Sequence, residues 1–209
     1  MLFRSIQNSG PLKWGDPVTQ GGITVTMTPD VTGEKVRVTL TGPVAKQLAQ
    51  NNSEQVDKPT LPQTFELVGR DNSGQAVVKY GFELKQWFVN RGTVYESIFD
   101  HYDKNNHLLW CNNIGYRLSS IADLTNAVYG DYIGATPSSP GNHYQRRIGA
   151  GLFTEWGVMS TYAGANFQRY SYPAGGYYRT NEGSRVGVNP DNGGAQNNLS
   201  TRYGVCVSP

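Results

Sequence analysis

Two cysteines, three histidines and a run of tyrosines and arginines are the side chains from which any chemistry or recognition must be built. Cys111 stands in WCNNIGYRLSSIADL, residues 110–124, and the only other cysteine, Cys206, lies in RYGVCVSP at the end of the sequence. Such a pair can be two free thiols buried as small apolar groups, the halves of a disulfide, or parts of a metal or redox centre. A metal centre needs more donors: there is no Cys-x-x-Cys, and His101, His107 and His143 do not stand at ligand spacing. Position favours the disulfide, which would tie the last strand to the first long helix. Closing a loop of about a hundred residues contributes on the order of 4–5 kcal/mol in the chain-entropy model, and it implies an oxidising compartment. Hydrolytic chemistry finds no G-x-S-x-G elbow. Glu155 with Glu182 or Asp131 is the remaining carboxylate pair, and nothing in the sequence fixes their separation. No metal and no cofactor is expected.

The most informative stretch for recognition is NFQRYSYPAGGYYRTNEGSR, residues 166–185. It interleaves Arg169, Tyr170, Tyr172, Tyr177, Tyr178, Arg179, Asn181 and Arg185 with serine and glycine. Tyrosine offers a large contact area and a hydroxyl at low entropic cost, and arginine adds forked donors. These eight residues are the candidate receptor-binding set. The competing reading, that the tyrosines pack the loop onto its own core, stays open.

The elements that must position these residues fall into two textures. From Gly21 to about Asn90 the pattern is strands. GITVTMTP and KVRVTLTG alternate Ile23, Val25, Met27 and Val36, Val38, Leu40 with polar residues around a turn at 30–33, which predicts a hairpin. TFELVGR and AVVKYGFELKQWFV flank DNSG, a strong turn signal. Four or five strands are expected, a small all-β unit and an immunoglobulin-like sandwich in outline. GPVAKQLAQNNSE suggests one helical turn after Pro43.

The second texture begins with helices. Tyr95, Ile98, Phe99 and Tyr102 stand at helical spacing, and Asn105 or Asn106 can cap a helix running to Asn113, ended by Gly115. Ser119 or Ser120 caps another, with Asp123 as the acid of a capping box and Ile121, Leu124 and Val128 as its apolar face up to Gly130. From Asp131 to Arg185 periodicity fades, and only short strands and ordered turns are expected around the apolar cluster GLFTEWGVM. Val186/Val188 and Tyr203/Val205/Val207 read as buried strands joined by a Gly-Asn loop. Trp110 and Trp156, like Trp14 and Trp87, read as packing residues, and Asn189, Asp191 and Asn192 read first as turn residues. The organisation expected is a ragged leading segment 1–20, a β-rich spacer domain 21–92 and a second domain 93–209.

Charged residues make up only 16% of the 209 residues, with net charge +2, while Gly (25) and Tyr (13) are plentiful. That balance argues against nucleic acid or an anionic membrane as the driving partner and suits an extracellular β-rich protein. No stretch approaches the ~18–20 apolar residues that span a bilayer. MLFRSIQNSG has no apolar core and no cleavage site of a signal peptide. A part of a longer exported chain is the expectation.

Cys111, GYRL at 115–118, the helix SSIADLTNAV and Cys206 in RYGVCV together resemble a C-type lectin-like domain. In that family a Cys on an early helix bonds to a Cys in the final strand, and a Gly-aromatic-Arg-Leu turn and a second helix follow the first. EWG at 155–157 stands where the family often has its central Trp-x-Gly core strand. The resemblance covers about the last 115 residues. A β-rich domain followed by such a domain resembles the tip of bacterial invasin/intimin-type adhesins. That resemblance implies a Cys111–Cys206 bond and a tip that binds a cell-surface protein or glycan without catalysis. It also implies an extracellular place on the bacterial surface, anchored in the outer membrane by a region this chain does not hold.

Two departures narrow the expectation. The family's usual second disulfide in the loop region is missing, so packing must hold the loop. The Glu-Pro-Asn or Gln-Pro-Asp and Trp-Asn-Asp signatures of calcium-dependent sugar binding are missing, and the acids between 131 and 185 are Asp131, Glu155 and Glu182 alone. Calcium takes six or more oxygens, so a calcium-dependent lectin is the lesser alternative. The other is an enzyme resembling the formylglycine-generating branch of the fold. Against it, Ser119 replaces that branch's proline and a second late cysteine is absent.

Overall fold

Period-two alternation organises the first part of the chain in the computed structural model, which describes residues 2–4, 12–33, 35–45, 54–93, 104–132, 134–174, 186–197 and 203–208. The chain divides into two units, Met1–Pro43 with Asp57–Trp87, and Val44–Val56 with Phe88–Pro209. Both are β-rich. The described residues also include three α-helices, all in the second unit.

The first unit holds β1 (Leu2–Arg4), β2 (Lys13–Trp14), β3 (Val18–Gln20), β4 (Ile23–Pro29), β5 (Lys35–Thr41), β6 (Gln63–Arg70) and β7 (Ala76–Leu84). They form antiparallel sheets in the orders β1-β5-β4-β3 and β2-β6-β7. β4 and β5 are the expected hairpin, with Met27 opposite Val38. Its turn is held by Asp30, whose carboxylate accepts from the Thr32 hydroxyl and the Lys35 amide. DNSG turns in the same way, with Asp71 Oδ1 accepting from the Ser73 hydroxyl and the Gln75 amide. The inward residues of both sheets meet in one cluster, Ile23, Val25 and Val38 with Phe65 and Leu67, and Trp14 and Trp87 pack against it half-buried. The strands expected from Gly21 onward are present as β4–β7, and among the described residues three more, β1–β3, occupy the leading segment 1–20 that was expected to be ragged. The additional ones are two or three residues long, too short for alternation to register. The expected helical turn after Pro43 falls largely outside the described residues, and Gly42–Ala45 are not helical.

The second unit is built around its last strand. β8 (Phe88–Thr93), β9 (Arg117–Leu118) and β13 (Tyr203–Val207) form a sheet in the order β8-β13-β9. Every residue of β13 is buried, because the strand is central and covered on both faces. Tyr203 and Val205 face a core shared with Ile121, Leu124, Phe153, Tyr172 and Val188. Gly204 and Cys206 face α1 (Lys104–Asn113). The segment proposed as a helix at 95–102 lies outside the described residues.

α1 turns toward β13 the stripe His107, Trp110, Cys111 and Ile114, all buried at i, i+3, i+4 and i+7. Leu108 and Leu109 lie off that stripe and are exposed. The physical reason is the crosslink. Cys111 and Cys206 form a disulfide with Cα atoms 5.5 Å apart, spanning 95 residues, and this fixes the rotation of the helix. His107, one turn earlier, then lies against Gly204, where a Cβ would collide with the imidazole. Arg91 sits at the bulge where β8 slips against β13. Its guanidinium lies 3.1 Å from His107 Nδ1 and 5.3 Å above the Trp110 ring.

GYRL does one job per residue. Gly115 (φ +87°) ends α1 in a Schellman motif: its amide donates to Asn112 O and that of Tyr116 to Cys111 O. Tyr116 is buried. Arg117 forms a two-pronged pair with Asp123, at 2.5 and 2.8 Å, which raises the guanidinium's pKa further. Leu118 stands opposite Cys206. Asp123 is also the expected capping-box acid, closing on Ser120 at the start of α2 (Ile121–Leu124).

α2 stops at Leu124, four residues before Val128, which is exposed. Asn126 is the cause. It is fully buried; its amide nitrogen donates to Pro137 O and Gln145 O, and its amide oxygen accepts from the Gln145 amide and the Thr154 hydroxyl. That hub holds the long irregular segment on the core and pulls the chain out of the helix.

EWG is not a core strand. Residues Leu152–Trp156 form α3, bracketed by Gly151 and Gly157, and a 3-10 turn, Met159–Thr161, follows. The remaining sheet runs β10 (Tyr172–Pro173), β11 (Val186–Val188), β12 (Ala195–Asn197). β12 was not expected from the sequence; it pairs with β11 within what reads as a Gly-Asn loop.

Candidate functional site

The turn between β11 and β12, Asn189–Gly194, gathers three otherwise separate loops. It is closed by Asn189 N–H to Gly194 O and Gly193 N–H to Asn189 O, and by Asn189 Oδ1 and Asn192 Oδ1, which accept from the Asp191 and Gly194 amides. Its turn-forming residues are therefore in the role expected of them. Onto it dock Tyr144, whose amide donates to Asn192 O, and Met159, whose amide donates to Pro190 O. The third loop arrives through Asp191, whose carboxylate takes the Ser160 hydroxyl at 2.6 Å and lies 3.9 Å from Arg169 Nε.

Glycine makes the close approaches possible. A Cβ on Gly193 would fall 2.6 Å from the Tyr144 ring, and one on Gly157 would strike the Arg146 guanidinium beside the Tyr144 hydroxyl. Arg146 Nη2 also donates to Glu155 O at 2.5 Å. The rim of the turn thus carries Tyr144 and Arg146 on one side and Arg169 and Tyr170 on the other.

Tyr170 is the most exposed ring described here, at 61%, and Arg169 has a side-chain exposure of 79%. Tyr170 is not loose. Its ring stacks parallel on Tyr203, centroids 5.5 Å apart. Tyr203 continues through Tyr172 to Phe167 and Phe153, with centroids 5.2–6.1 Å apart. One face of Tyr170 is thus backed by the core. The Arg169–Asp191 approach is long and solvent-screened, so it holds the guanidinium weakly.

The eight candidate residues separate accordingly. Arg169 and Tyr170 are brought together on the surface. Tyr172 is withdrawn from the binding set: it is fully buried, its hydroxyl accepts from the Gln168 amide, and burial pushes the phenol up to about 12, partly offset by that hydrogen bond and one from Asn90. Tyr177, Tyr178, Arg179, Asn181 and Arg185 lie outside the described residues. Their segment leaves and re-enters the described fold at Ala174 and Val186, whose backbones are hydrogen-bonded. Among the other aromatics, Trp110 is buried as expected and Trp156 is half-buried, edge-on to Tyr162.

Sequence reading missed Tyr144, Arg146 and Ser160. HYQRR at 143–147 carries the same Tyr/Arg signal as the longer run, but it lies far from it in sequence. Asp191 was legible only as a turn residue. Among the described residues no group of three or more His, Cys, Asp or Glu is placed to hold a metal ion, and no helix is long and apolar enough to cross a membrane.

No family model, curated protein or solved structure matches this chain.

Proposed function

We propose that this chain is the distal end of a bacterial cell-surface adhesin of the invasin/intimin type. In this reading an immunoglobulin-like domain orients a C-type lectin-like domain, which binds a surface protein or glycan through Arg/Tyr loops and performs no catalysis. The observation that carries the binding role is Tyr170, an exposed ring fixed from behind by Tyr203 and flanked by an exposed arginine. A rigid aromatic with an adjacent guanidinium suits recognition because little ordering cost remains at contact.

The domain reading draws on both units. Among the described residues the first unit has seven antiparallel strands in sheets of four and three around a shared core, in keeping with the immunoglobulin constant-type count. In the second unit, an early helix disulfide-bonded to the last strand, a GYRL strand paired with that same strand and a capped helix after it support the lectin-like reading. A disulfide implies an oxidising compartment, in keeping with the bacterial surface and with outer-membrane anchoring through a further region. The carboxylates of Glu155 and Asp191 are engaged by internal donors, which favours calcium-independent binding.

The test is binding of the fluorescently labelled chain to cultured mammalian cells and to a glycan array, with and without EDTA. Saturable, EDTA-insensitive binding that falls about tenfold in the Arg169→Ala/Tyr170→Ala variant supports the reading. Loss of binding in EDTA would sink it in favour of a calcium-dependent lectin.

A further inference from the structure

The loop preceding α3 holds an isoleucine in water by design of its backbone. Ile148 is 90% exposed, next to the exposed Arg147. The loop around it is pinned at several points. Gln145 is clasped by the Asn126 amide, Arg146 donates to Glu155 O, the Gly149 amide donates to Glu155 Oε1 at 2.8 Å, and Ala150 is fully buried. Gly149 at φ +78° makes the reversal. Glu155 thus grips the loop twice, by its main-chain carbonyl and by its carboxylate, on either side of Arg147 and Ile148.

A single exposed apolar residue is ordinary on a protein surface. One fixed by this many hydrogen bonds has already given up the freedom that binding would otherwise remove. Its sequence neighbours Arg146 and Arg147 are exposed, and arginine is enriched where proteins meet. The Arg146 end of the loop also joins the rim around the Asn189–Gly194 turn.

We propose that Ile148 is a binding anchor, positioned by Glu155, and that Ile148 with the adjacent Arg147 fits an apolar pocket edged by carboxylates on a partner protein. The inference rests on the reading of the chain as a surface-binding protein and assigns that surface a second contact besides Tyr170. A protein is the occupant that uses all the parts. A sugar presents no closed apolar pocket for a branched side chain. One isoleucine beside one or two arginines falls short of holding a chain on a bilayer, where even a single acyl chain is marginal. The carboxylate rim follows from Arg147, which is exposed next to the isoleucine.

The experiment measures binding of the labelled full chain to cultured mammalian cells, intact or with surface proteins shaved by protease, and to vesicles of phosphatidylcholine with 30% phosphatidylserine. Ile148→Ala and Ile148→Asp are expected to keep the wild-type unfolding midpoint and to weaken cell binding about tenfold or more. Shaving is expected to abolish binding. Glu155→Ala is expected to weaken binding and to speed hydrogen exchange at the Gly149 amide. Glu155→Gln keeps an acceptor for that amide and is expected to recover most of both. If Ile148→Ala binds like wild type while Arg169→Ala/Tyr170→Ala does not, the anchor is wrong and the functional reading stands. If the wild-type chain shows no saturable cell binding, both fall. Vesicle binding lost in Ile148→Asp would overturn the protein partner in favour of a membrane.

Discussion

Tyr172 and Tyr170 differ by two positions and have opposite fates, one wholly buried and the other the outermost ring of the stack. Composition and spacing treat them alike. Strand alternation would place them on one face, but β10 begins only at Tyr172, so Tyr170 belongs to a bend and escapes that parity. What distinguishes Tyr172 is its chemistry in place. Burial holds its phenol protonated to about pH 12, above the ordinary value near 10. A folded-state pKa raised in this way contributes stability that is complete below about pH 10 and is lost as pH rises toward 12. The two-unit difference corresponds to roughly 2–3 kcal/mol. Denaturant unfolding at pH 8 and pH 11.5 checks this. Tyr172→Phe is expected to cost about 1 kcal/mol at pH 8, through the lost hydrogen bond, and to lose clearly less stability than wild type between the two pH values. An equal loss in both proteins would show that Tyr172 ionises freely.

At the scale of elements, the stretch from α1 through α2 was the most legible part of the second unit, because its signals are local. Gly115 at a C′ position, Ser120 with Asp123, and a Cys one turn from the helix end each act within a few residues. The end of α2 was not legible, since Asn126 takes partners 11, 19 and 28 residues away. The buried face of α1 was not legible either: a disulfide to a strand 95 residues later accompanies His107 turned inward and Leu108 and Leu109 outward. Arg117 is the residue through which this region is tied together, joining β9 to the first turn of α2. Arg117→Ala removes the guanidinium from the Asp123 carboxylate, which is only 9% exposed. The expected cost is about 1–3 kcal/mol, read as a shift of the denaturation midpoint. Asp123→Asn in the same background is expected to recover part of it, because it removes a buried negative charge that has lost its guanidinium counter-ion. No recovery would mean that the pair matters by packing rather than by charge.

Across the whole molecule, a strand-rich first part, the helices that open the second and the crosslink were legible, while the boundary between the parts was set only by the change of pattern. The division into units falls at Trp87/Phe88, so the strand β8 that pairs with the last strand belongs to the second unit. Long-range pairing of that kind leaves no local trace. The Cys111–Cys206 bond is the corresponding long-range constraint on stability. Cys111→Ser/Cys206→Ser is expected to lose about 2–5 kcal/mol, with hydrogen exchange accelerating most in α1, β9 and β13. Unchanged exchange there would contradict a clamp that holds the scaffold of the loop face.

The central claim is that a core-backed Tyr170 beside Arg169 presents a binding surface to another cell. Its most direct test is a binding isotherm of the labelled chain on a panel of cultured mammalian cells, comparing wild type, Tyr170→Phe and Tyr170→Ala. The account expects saturable binding, near-wild-type affinity for Tyr170→Phe, which keeps the stacked ring, and about tenfold or greater loss for Tyr170→Ala at an unchanged unfolding midpoint. Non-saturable binding by wild type, or an isotherm for Tyr170→Ala that overlays it, would contradict the account.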